Sequence, residues 1–376
     1  MAVETSQDIE IPAELQEAYV VDTDFHAGPS TDVEVLLPYI DDERIKQKLR
    51  VTSKVSFPSR VVPAYATNET GGYHAHGAAL DGESVLDVMT KFGINMPIIT
   101  PGTNTLPGLQ YPKMKDAICK AANDFALDQI TPADDDIKTH VALPIWNPEA
   151  CVEELDRLGD ERDVVGAVTW YGPFTSLLGE PKFDQVYEEL VKRDLPLALH
   201  VGGSTTVPID LVGDSIRTRT EALGLINSFY GIMDVANMIM TGVFDKYPEL
   251  TVVCQEMGVT WIPFVANRMN EIYYTQPEDL KISERLFDMG QEYLKKDPGD
   301  YVYDNLRFST QPIALPKRQR ERRAMLELCH ADETLMYSSD WPHQTLDPVN
   351  WVGGPGIDEE LRTQILSGNA EEVYRL

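Results

Sequence analysis

The sequence predicts a single (β/α)8 TIM barrel, and two observations support that fold class. Eight short apolar runs alternate with stretches of helical periodicity along the 376 residues, a pattern typical of parallel strands joined by right-handed crossovers. Eight is also the number of strands that closes such a barrel. The alternative fold is an open doubly wound sheet, but the chain has no glycine-rich strand–loop–helix unit that would bind a dinucleotide or a nucleotide phosphate.

Each predicted strand is a short run of apolar residues with little helical periodicity. In chain order the strands are Val20–Asp24, Met96–Thr100, His140–Pro144, Val164–Trp170, Leu195–His200, Leu250–Cys254, Leu306–Thr310 and Leu335–Ser339. Between most of them, apolar residues recur every three or four positions, which predicts helices. These helices are Lys115–Gln129, Pro148–Leu158, Phe183–Lys192 and a longer stretch, Ser215–Asp245.

Two regions depart from a plain barrel, although residues 1–376 are expected to form one domain. Ile45–Gly82 separates the first strand from its helix and is rich in Pro, Gly, Ser and Thr. A long insertion above the carboxyl ends of barrel strands predicts a lid. Glu271–Asp300 is a polar, tyrosine-bearing excursion before the seventh strand. Substrate specificity is expected to lie in these two segments.

The composition excludes several classes of protein. Asp and Glu total 61 against 32 Lys and Arg, a net charge of −29, which argues against nucleic acid or an anionic membrane as a partner. Self-repulsion of this size also suggests a halophilic protein whose stability rises with salt, the alternative being an ordinary acidic protein.

No apolar run reaches the roughly 18 residues of a membrane span. The polar start, Met1–Gln16, lacks the features of a signal peptide, so a cytoplasmic location is expected.

Candidate metal ligands lie at the ends of three predicted strands. Asp24 and His26 are two apart in the first run and therefore project to the same side of a strand. His200 ends the fifth run and Asp340 follows the eighth. The carboxyl ends of barrel strands form the face that carries chemistry. Two nitrogens and two carboxylates converging there predict a divalent-metal site suited to zinc, with manganese or iron as alternatives.

These residues also carry a resemblance to a known family. Asp24-x-His26, His200 and the stretch Ser339–His343 (SDWPH) resemble the metal motifs of the amidohydrolase superfamily, in the branch of aminocarboxymuconate-semialdehyde decarboxylase and the resorcylate decarboxylases. Gly242–Leu250 (GVFDKYPEL) and the ending Ile365–Ala370 match the same branch. The resemblance implies a TIM barrel, a small carboxylated substrate and a homodimer. No lysine ends the fourth run, which implies one metal and not two.

Further candidate residues come from the resemblance and from positions near the proposed site. Glu256 stands where family decarboxylases have a histidine taken as general acid/base, so it is a candidate base, an extra metal ligand or a structural acceptor. Asp340 and His343 are the other catalytic candidates; His343, one turn past Asp340, could bind substrate or shuttle a proton, with structural packing as the alternative. Arg268 matches a family arginine that can reach a neighbouring subunit's active site, with an ordinary surface role as the alternative. With Arg268, the substrate-binding candidates are Trp341 and His76.

The remaining histidines and arginines are weaker candidates. His74-x-His76 has no apolar strand before it, so a lid loop that touches substrate is favoured over a metal site. Arg217 and Arg219 could hold an anionic substrate, but a solvated face is favoured for them. His140 and His330 are not expected to take part in chemistry.

The sequence is compatible with three functions. The favoured one is a metal-dependent carboxy-lyase that decarboxylates a small carboxylated substrate, such as an aromatic acid, without an oxidant. A metal-dependent hydrolase acting through metal-bound water is the alternative, with Glu256 or Asp340 as base. A non-catalytic barrel that binds a metal or ligand is the third reading, and four intact candidate ligands argue against it.

Overall fold

The computed structural model describes residues 11–28, 33–52, 81–101, 111–171, 176–201, 227–343, 346–354 and 356–376. Its eight strands are β1 Val21–Ala27, β2 Met96–Pro101, β3 Lys138–Ala142, β4 Val164–Tyr171, β5 Leu197–Val201, β6 Val252–Cys254, β7 Leu306–Ser309 and β8 Leu335–Met336. They form one sheet in sequence order, and every neighbouring pair from β1 to β8 is parallel. The prediction of a (β/α)8 barrel is confirmed, and each predicted strand is found within a few residues of its expected bounds.

Hydrogen bonds between β1 and the chain that follows β8 close the barrel. Thr23 N–H donates to the carbonyl of Tyr337 (3.0 Å), and His26 N–H donates to the carbonyl of Trp341 (2.8 Å). Phe25 and Trp341 form a single parallel bridge. The closure is therefore a seam of separate contacts, and the segment after β8 is tied directly to the strand that carries Asp24 and His26.

The helices lie between the strands, as the alternating pattern predicts. The α-helices of the described residues are α1 Val33–Leu36, α2 Glu43–Thr52, α3 Gly82–Phe92, α4 Pro112–Phe125, α5 Pro148–Leu158, α6 Asp184–Arg193, α7 Asn227–Met240, α8 Val243–Lys246, α9 Ile262–Thr275, α10 Glu284–Asp288, α11 Pro298–Asp304, α12 Gln319–Leu328, α13 Ala331–Thr334, α14 Glu359–Thr363 and α15 Asn369–Tyr374. The predicted helix Pro148–Leu158 has the observed bounds. The predicted stretch Ser215–Asp245 is described only from Asn227, and Gly242 (φ +81°) separates α7 from α8.

One expected strand end needs correction, and one expected segment is described only in part. The eighth strand was expected to run to Ser339 but ends at Met336, because Ser338 N–H instead donates to Thr310 Oγ1 (3.1 Å) and Ser339 N–H to Asp22 Oδ1 (2.9 Å). The insertion expected at 45–82 begins inside a helix, since residues 45–52 belong to α2. Residues 53–80 lie outside the described residues, so the lid itself stays a prediction.

The apolar core surrounds the sheet in two clusters. One includes Leu155, Tyr187 and Val235, which bring helices α5, α6 and α7 against the strands. The other includes Phe25, Met89 and Ile118 and packs helices α3 and α4 against β1 and β2. No helix of the described residues is both long and apolar enough to cross a membrane, and the compartment stays a prediction.

Candidate metal centre

Strand β1 presents Asp24 and His26 on one side. All seven of its residues are buried. In a regular strand, residues two apart lie on the same face. Asp24 is fully buried and His26 is 6% exposed. Asp24 Oδ1 and His26 Nε2 are 3.5 Å apart, so the two adjoining donors predicted from the Asp-x-His spacing are found.

His200 and Asp340 meet this pair from other parts of the barrel. His200 lies on β5, and its Nε2 is 3.1 Å from His26 Nε2 and 3.5 Å from Asp24 Oδ2. Asp340 lies four residues past β8, with Oδ1 3.4 Å from His26 Nε2. Both residues are fully buried. The four predicted metal ligands, which come from strands far apart in sequence, therefore lie in one cluster.

The imidazole of His200 is oriented by its other nitrogen. Its Nδ1 lies 2.7 Å from the carbonyl oxygen of Val201, and a carbonyl only accepts, so Nδ1 carries the proton and donates. Burial lowers the pKa of His200, but the carboxylate of Asp24 outweighs it and the net shift is upward. When the ring is neutral, Nε2 has a lone pair directed into the cluster. Fixing a metal-binding histidine by a hydrogen bond from its second nitrogen is usual at metal sites.

Three polar residues that support the cluster were not singled out from the sequence. Thr100, at the end of β2, donates from Oγ1 to Asp24 Oδ1 (2.8 Å). Asp22 accepts from the N–H of Ser339, next to Asp340, and Gln255 Nε2 donates to the carbonyl of Thr23 (2.7 Å). Register and barrel closure create these contacts. The available signal was the acidic Asp22, which lies within the same apolar run as Asp24.

Glu256 and Asp340 both have left-handed backbone conformations, with φ of +54° and +59°. Such angles are uncommon for residues other than glycine and are found at functional sites where surrounding contacts hold them. Glu256 follows β6, its N–H donates to Ser309 Oγ (3.4 Å), and its Oε2 is 3.6 Å from His200 Nε2. The structure therefore brings Glu256 to the edge of the cluster.

Burial and neighbouring charges set the pKa values of the cluster. Burial raises the pKa of Asp24, but the imidazoles of His200 and His26 outweigh it and the net shift is downward. Burial and the nearby His343 lower the pKa of His26 to about 4. Burial raises the pKa of Asp340. Near neutral pH, Asp24 is therefore ionised and His26 neutral, which are the forms that bind metal.

The donor set fits one divalent metal ion. The Nε2 atoms of His26 and His200 face each other, and Oδ2 of Asp24 makes no hydrogen bond within the described part of the chain. Donor atoms of Asp24, His26 and His200 all lie within 4.8 Å of one another, as do those of His26, Asp340 and His343. A cation among these donors would satisfy the buried carboxylate and both lone pairs.

The family model for amidohydrolases matches residues 73–376. The chain belongs to the amidohydrolase family. Among curated relatives of this amidohydrolase, the gamma-resorcylate decarboxylase of a Rhizobium species is 21% identical over 305 residues, covering 77% of this chain and 86% of the relative. The gamma-resorcylate decarboxylase of Rhodococcus jostii is 23% identical over 308 residues, with the same two coverages.

Solved structures share the fold of this amidohydrolase. A 2,6-dihydroxybenzoate decarboxylase in complex with 2,6-dihydroxybenzoate has a TM-score of 0.66 at 19% identity, covering 96% of this chain and all of that one. A 5-carboxyvanillate decarboxylase from Novosphingobium aromaticivorans, in complex with manganese and 4-hydroxy-3-methoxy-5-nitrobenzoic acid, has a TM-score of 0.70 at 19% identity, covering 98% of this chain and 99% of that one.

The other predicted site residues are spread more widely. His343 is buried, its Nδ1 contacts Asp340 Oδ1, and its ring lies 4.3 Å from that of His26. Trp341 is buried and packs against Phe92 with ring centroids 4.9 Å apart. The side chain of Arg268 is 53% exposed on α9 and pairs with Glu271. The catalytic role of His343 and the substrate roles of Trp341 and Arg268 stay predictions.

Four remaining candidates lie outside the described residues: His74, His76, Arg217 and Arg219. Of the two histidines expected to be structural, His140 is buried with Nε2 3.3 Å from the hydroxyl oxygen of Tyr374. His330 stacks on Tyr303 with centroids 4.1 Å apart. Neither belongs to a group of potential metal ligands among the described residues.

Proposed function

We propose that this amidohydrolase is a metal-dependent carboxy-lyase that removes carbon dioxide from a small aromatic carboxylate without an oxidant. One observation carries the proposal: Asp24, His26, His200 and Asp340 form a single buried cluster of metal-ligand type. The choice of reaction follows the curated relatives, whose names are those of resorcylate decarboxylases.

The chain's own residues supply a binding site and a proton. When bound, a divalent ion provides Lewis-acid chemistry that neutralises the anionic oxygens of the substrate. Asp340 donates a proton to the ring carbon that bears the carboxylate. The carbon–carbon bond then breaks, its electron pair restores the aromatic ring, and carbon dioxide leaves. His343 contacts Oδ1 of Asp340, so it is placed to return a proton to that carboxylate.

Direct measurement of the product tests this reaction. Purified protein, loaded separately with zinc and with manganese, is incubated with 2,6-dihydroxybenzoate and 5-carboxyvanillate, and carbon dioxide release is recorded. We expect release from at least one hydroxylated benzoate and at least about 100-fold slower release by Asp340→Asn. Asp347→Asn is the matched control, because Asp347 is a nearby half-buried aspartate whose Oδ2 accepts the Ile313 N–H (2.7 Å). Release by Asp340→Asn at the wild-type rate would contradict the proposed role.

Zinc is the metal that we propose, with manganese as the alternative. Two imidazoles and two carboxylates suit zinc, whereas the 5-carboxyvanillate decarboxylase structure contains manganese. Elemental analysis of protein purified without chelators measures what is bound. Metal below about 0.2 equivalents, with none taken up when zinc or manganese is added, would contradict the metalloenzyme proposal.

Hydrolysis is a second candidate, and one observation favours it. Glu256 stands where the family resemblance places a histidine, and its Oε2 lies 3.6 Å from His200 Nε2, so an ionised Glu256 is suited to accept a proton from water. Running the reaction in ¹⁸O-labelled water separates the two functions. Hydrolysis of a lactone or amide places the label in the product, whereas decarboxylation leaves the aromatic product unlabelled.

We also propose a homodimer that forms through helices α7 and α9. Asp234, the one charged residue of α7, is buried, whereas Phe229 and Met233 on that helix and Phe264 on α9 are 57%, 44% and 67% exposed. An exposed face without charge, as on α7, is unusual on a chain of net charge −29, and on α9 the exposed Phe264 lies beside the ion pair of Arg268 and Glu271. Light scattering should give twice the chain mass for wild type and the single-chain mass for Phe264→Glu. A wild-type monomer at all salt concentrations would contradict the proposal.

A further inference from the structure

Asp22 lies two residues before Asp24 on β1 and is fully buried. Its Oδ1 accepts two backbone N–H groups, from Ser339 (2.9 Å) and from Asp24 (3.3 Å). One carboxylate oxygen therefore contacts the backbone of Asp24 itself and of the residue immediately before Asp340. These are the two carboxylate ligands of the candidate metal centre, and they lie more than 300 residues apart in the chain.

The position of Asp340 depends on contacts of this kind, because no regular strand pairing holds it. Strand β8 ends at Met336, and Asp340 has φ of +59°. Asp340 N–H donates to the carbonyl of Asp24 (3.1 Å), and Asp22 holds the preceding residue. An unfavourable backbone conformation persists only where its surroundings hold it in place.

A buried carboxylate is an unusual residue for the interior of a barrel, which is ordinarily filled with branched apolar side chains. Taking a carboxylate out of water is unfavourable unless its oxygens receive hydrogen bonds. In Asp22 one oxygen receives two, while Oδ2 has no hydrogen-bond partner among the described residues. An apolar residue would fill the same space more favourably, so packing alone does not account for an aspartate here.

We propose that Asp22 is a positioning residue, which holds the segment of Asp340 against β1 so that the carboxylates of Asp24 and Asp340 face the same ion. The inference rests on the metal site of the proposed function. Asp22 acts through backbone groups and makes no contact with the ion. Loss of its acceptor oxygen therefore weakens metal binding without removing a ligand.

The test measures binding of Mn²⁺ alone by titration calorimetry to the full-length protein after chelator treatment. Asp22→Ala and the space-filling Asp22→Leu should each weaken binding at least about 10-fold, as loss of residues that orient metal ligands generally does. Asp22→Asn keeps an acceptor oxygen and should stay within about threefold of wild type. Asp234→Ala is the matched control: Asp234 is also buried and accepts one backbone N–H, from Leu178 (3.1 Å), but should not change Mn²⁺ affinity.

The outcomes separate this inference from the proposed function. Wild type that binds no Mn²⁺ contradicts the metal site itself. Wild type that binds Mn²⁺, together with Asp22→Ala and Asp22→Leu that bind it equally well, overturns the role of Asp22. If neither variant folds, hydrogen exchange of residues 335–343 in metal-free wild type decides: protection of this segment supports the inference, and free exchange overturns it.

Discussion

The imidazoles of His26 and His200 face each other at the end of the barrel, with their Nε2 atoms 3.1 Å apart and both rings buried. Two lone pairs at this separation repel unless a proton or a cation lies between them. The surrounding carboxylates of Asp24 and Asp340 make a cation the better occupant. Residues 174 positions apart in the chain therefore form one site.

Loss of either imidazole should abolish tight metal binding. His26→Ala and His200→Ala each remove one nitrogen donor, so bound metal should fall at least about 10-fold while far-UV circular dichroism stays native. Elemental analysis of the purified variants measures the change. His330→Asn is the control, because His330 lies away from the site and has φ of +53°, which asparagine tolerates. Full metal occupancy in His200→Ala would contradict the assignment.

Thr100 should contribute to metal affinity through one hydrogen bond. Its Oγ1 donates to Asp24 Oδ1 at 2.8 Å, and Thr100→Val removes the hydroxyl while keeping the shape. A net hydrogen bond is worth about 0.5–1.5 kcal/mol, so metal affinity measured by titration should fall about threefold to tenfold. Thr100→Ser, which keeps the hydroxyl, should bind nearly as well as wild type. Equal affinities for the Val and Ser variants would show that this contact is not needed.

Glu256 should affect turnover more than metal content. Glu256→Gln removes a charge 3.6 Å from His200 Nε2, and loss of a group that moves protons lowers kcat by about 100-fold or more. Metal content should stay at the wild-type level. A parallel loss of metal would instead make Glu256 a ligand. Glu360→Gln, at an exposed position of α14, is the control and should leave both quantities unchanged.

Asp234 should make the protein less stable as the pH rises. Burial raises its pKa from 3.8 to about 7, although the N–H of Leu178 partly opposes the shift. The folded state therefore binds this proton more tightly than the unfolded state. The contribution of this proton to the free energy of unfolding is fully present below about pH 4. It falls as the pH rises towards about 7 and is lost above that pH.

The variant Asp234→Asn should remove this dependence. Its gain in the free energy of unfolding over wild type should be larger at pH 8 than at pH 4, by up to about 4 kcal/mol for a shift of this size. Urea denaturation at the two pH values measures the difference. A gain of the same size at both pH values would mean that Asp234 titrates normally.

The excess of acidic residues should make stability depend on salt. With 61 acidic and 32 basic residues, mutual repulsion in the folded state is reduced as ions screen the charges. The melting temperature should rise between about 0.1 M and 2 M KCl. Differential scanning calorimetry at fixed pH measures it. A flat melting temperature would contradict the halophilic prediction.

The fold could be predicted from the sequence because its signals are local. Each strand is an apolar run, each crossover has helical periodicity, and their alternation leaves few topologies. Helix Pro148–Leu158 was predicted from its apolar periodicity with the observed bounds, and Asn147 caps its start in the structure. The last strand was overestimated because Tyr337, Ser338 and Ser339 read as a continuing run, whereas hydrogen bonds to distant residues end it.

The sequence by itself determined the barrel and the identity of the four candidate ligands, since a strand places residues two apart on one side and parallel strands share one functional face. Only the tertiary structure decided what surrounds them. The contact of Asp22 with Ser339, the hydrogen bond from Thr100 to Asp24, and the left-handed turns at Glu256 and Asp340 all depend on register and on barrel closure. Such contacts join residues that are far apart in the chain, so no local pattern of residue types encodes them.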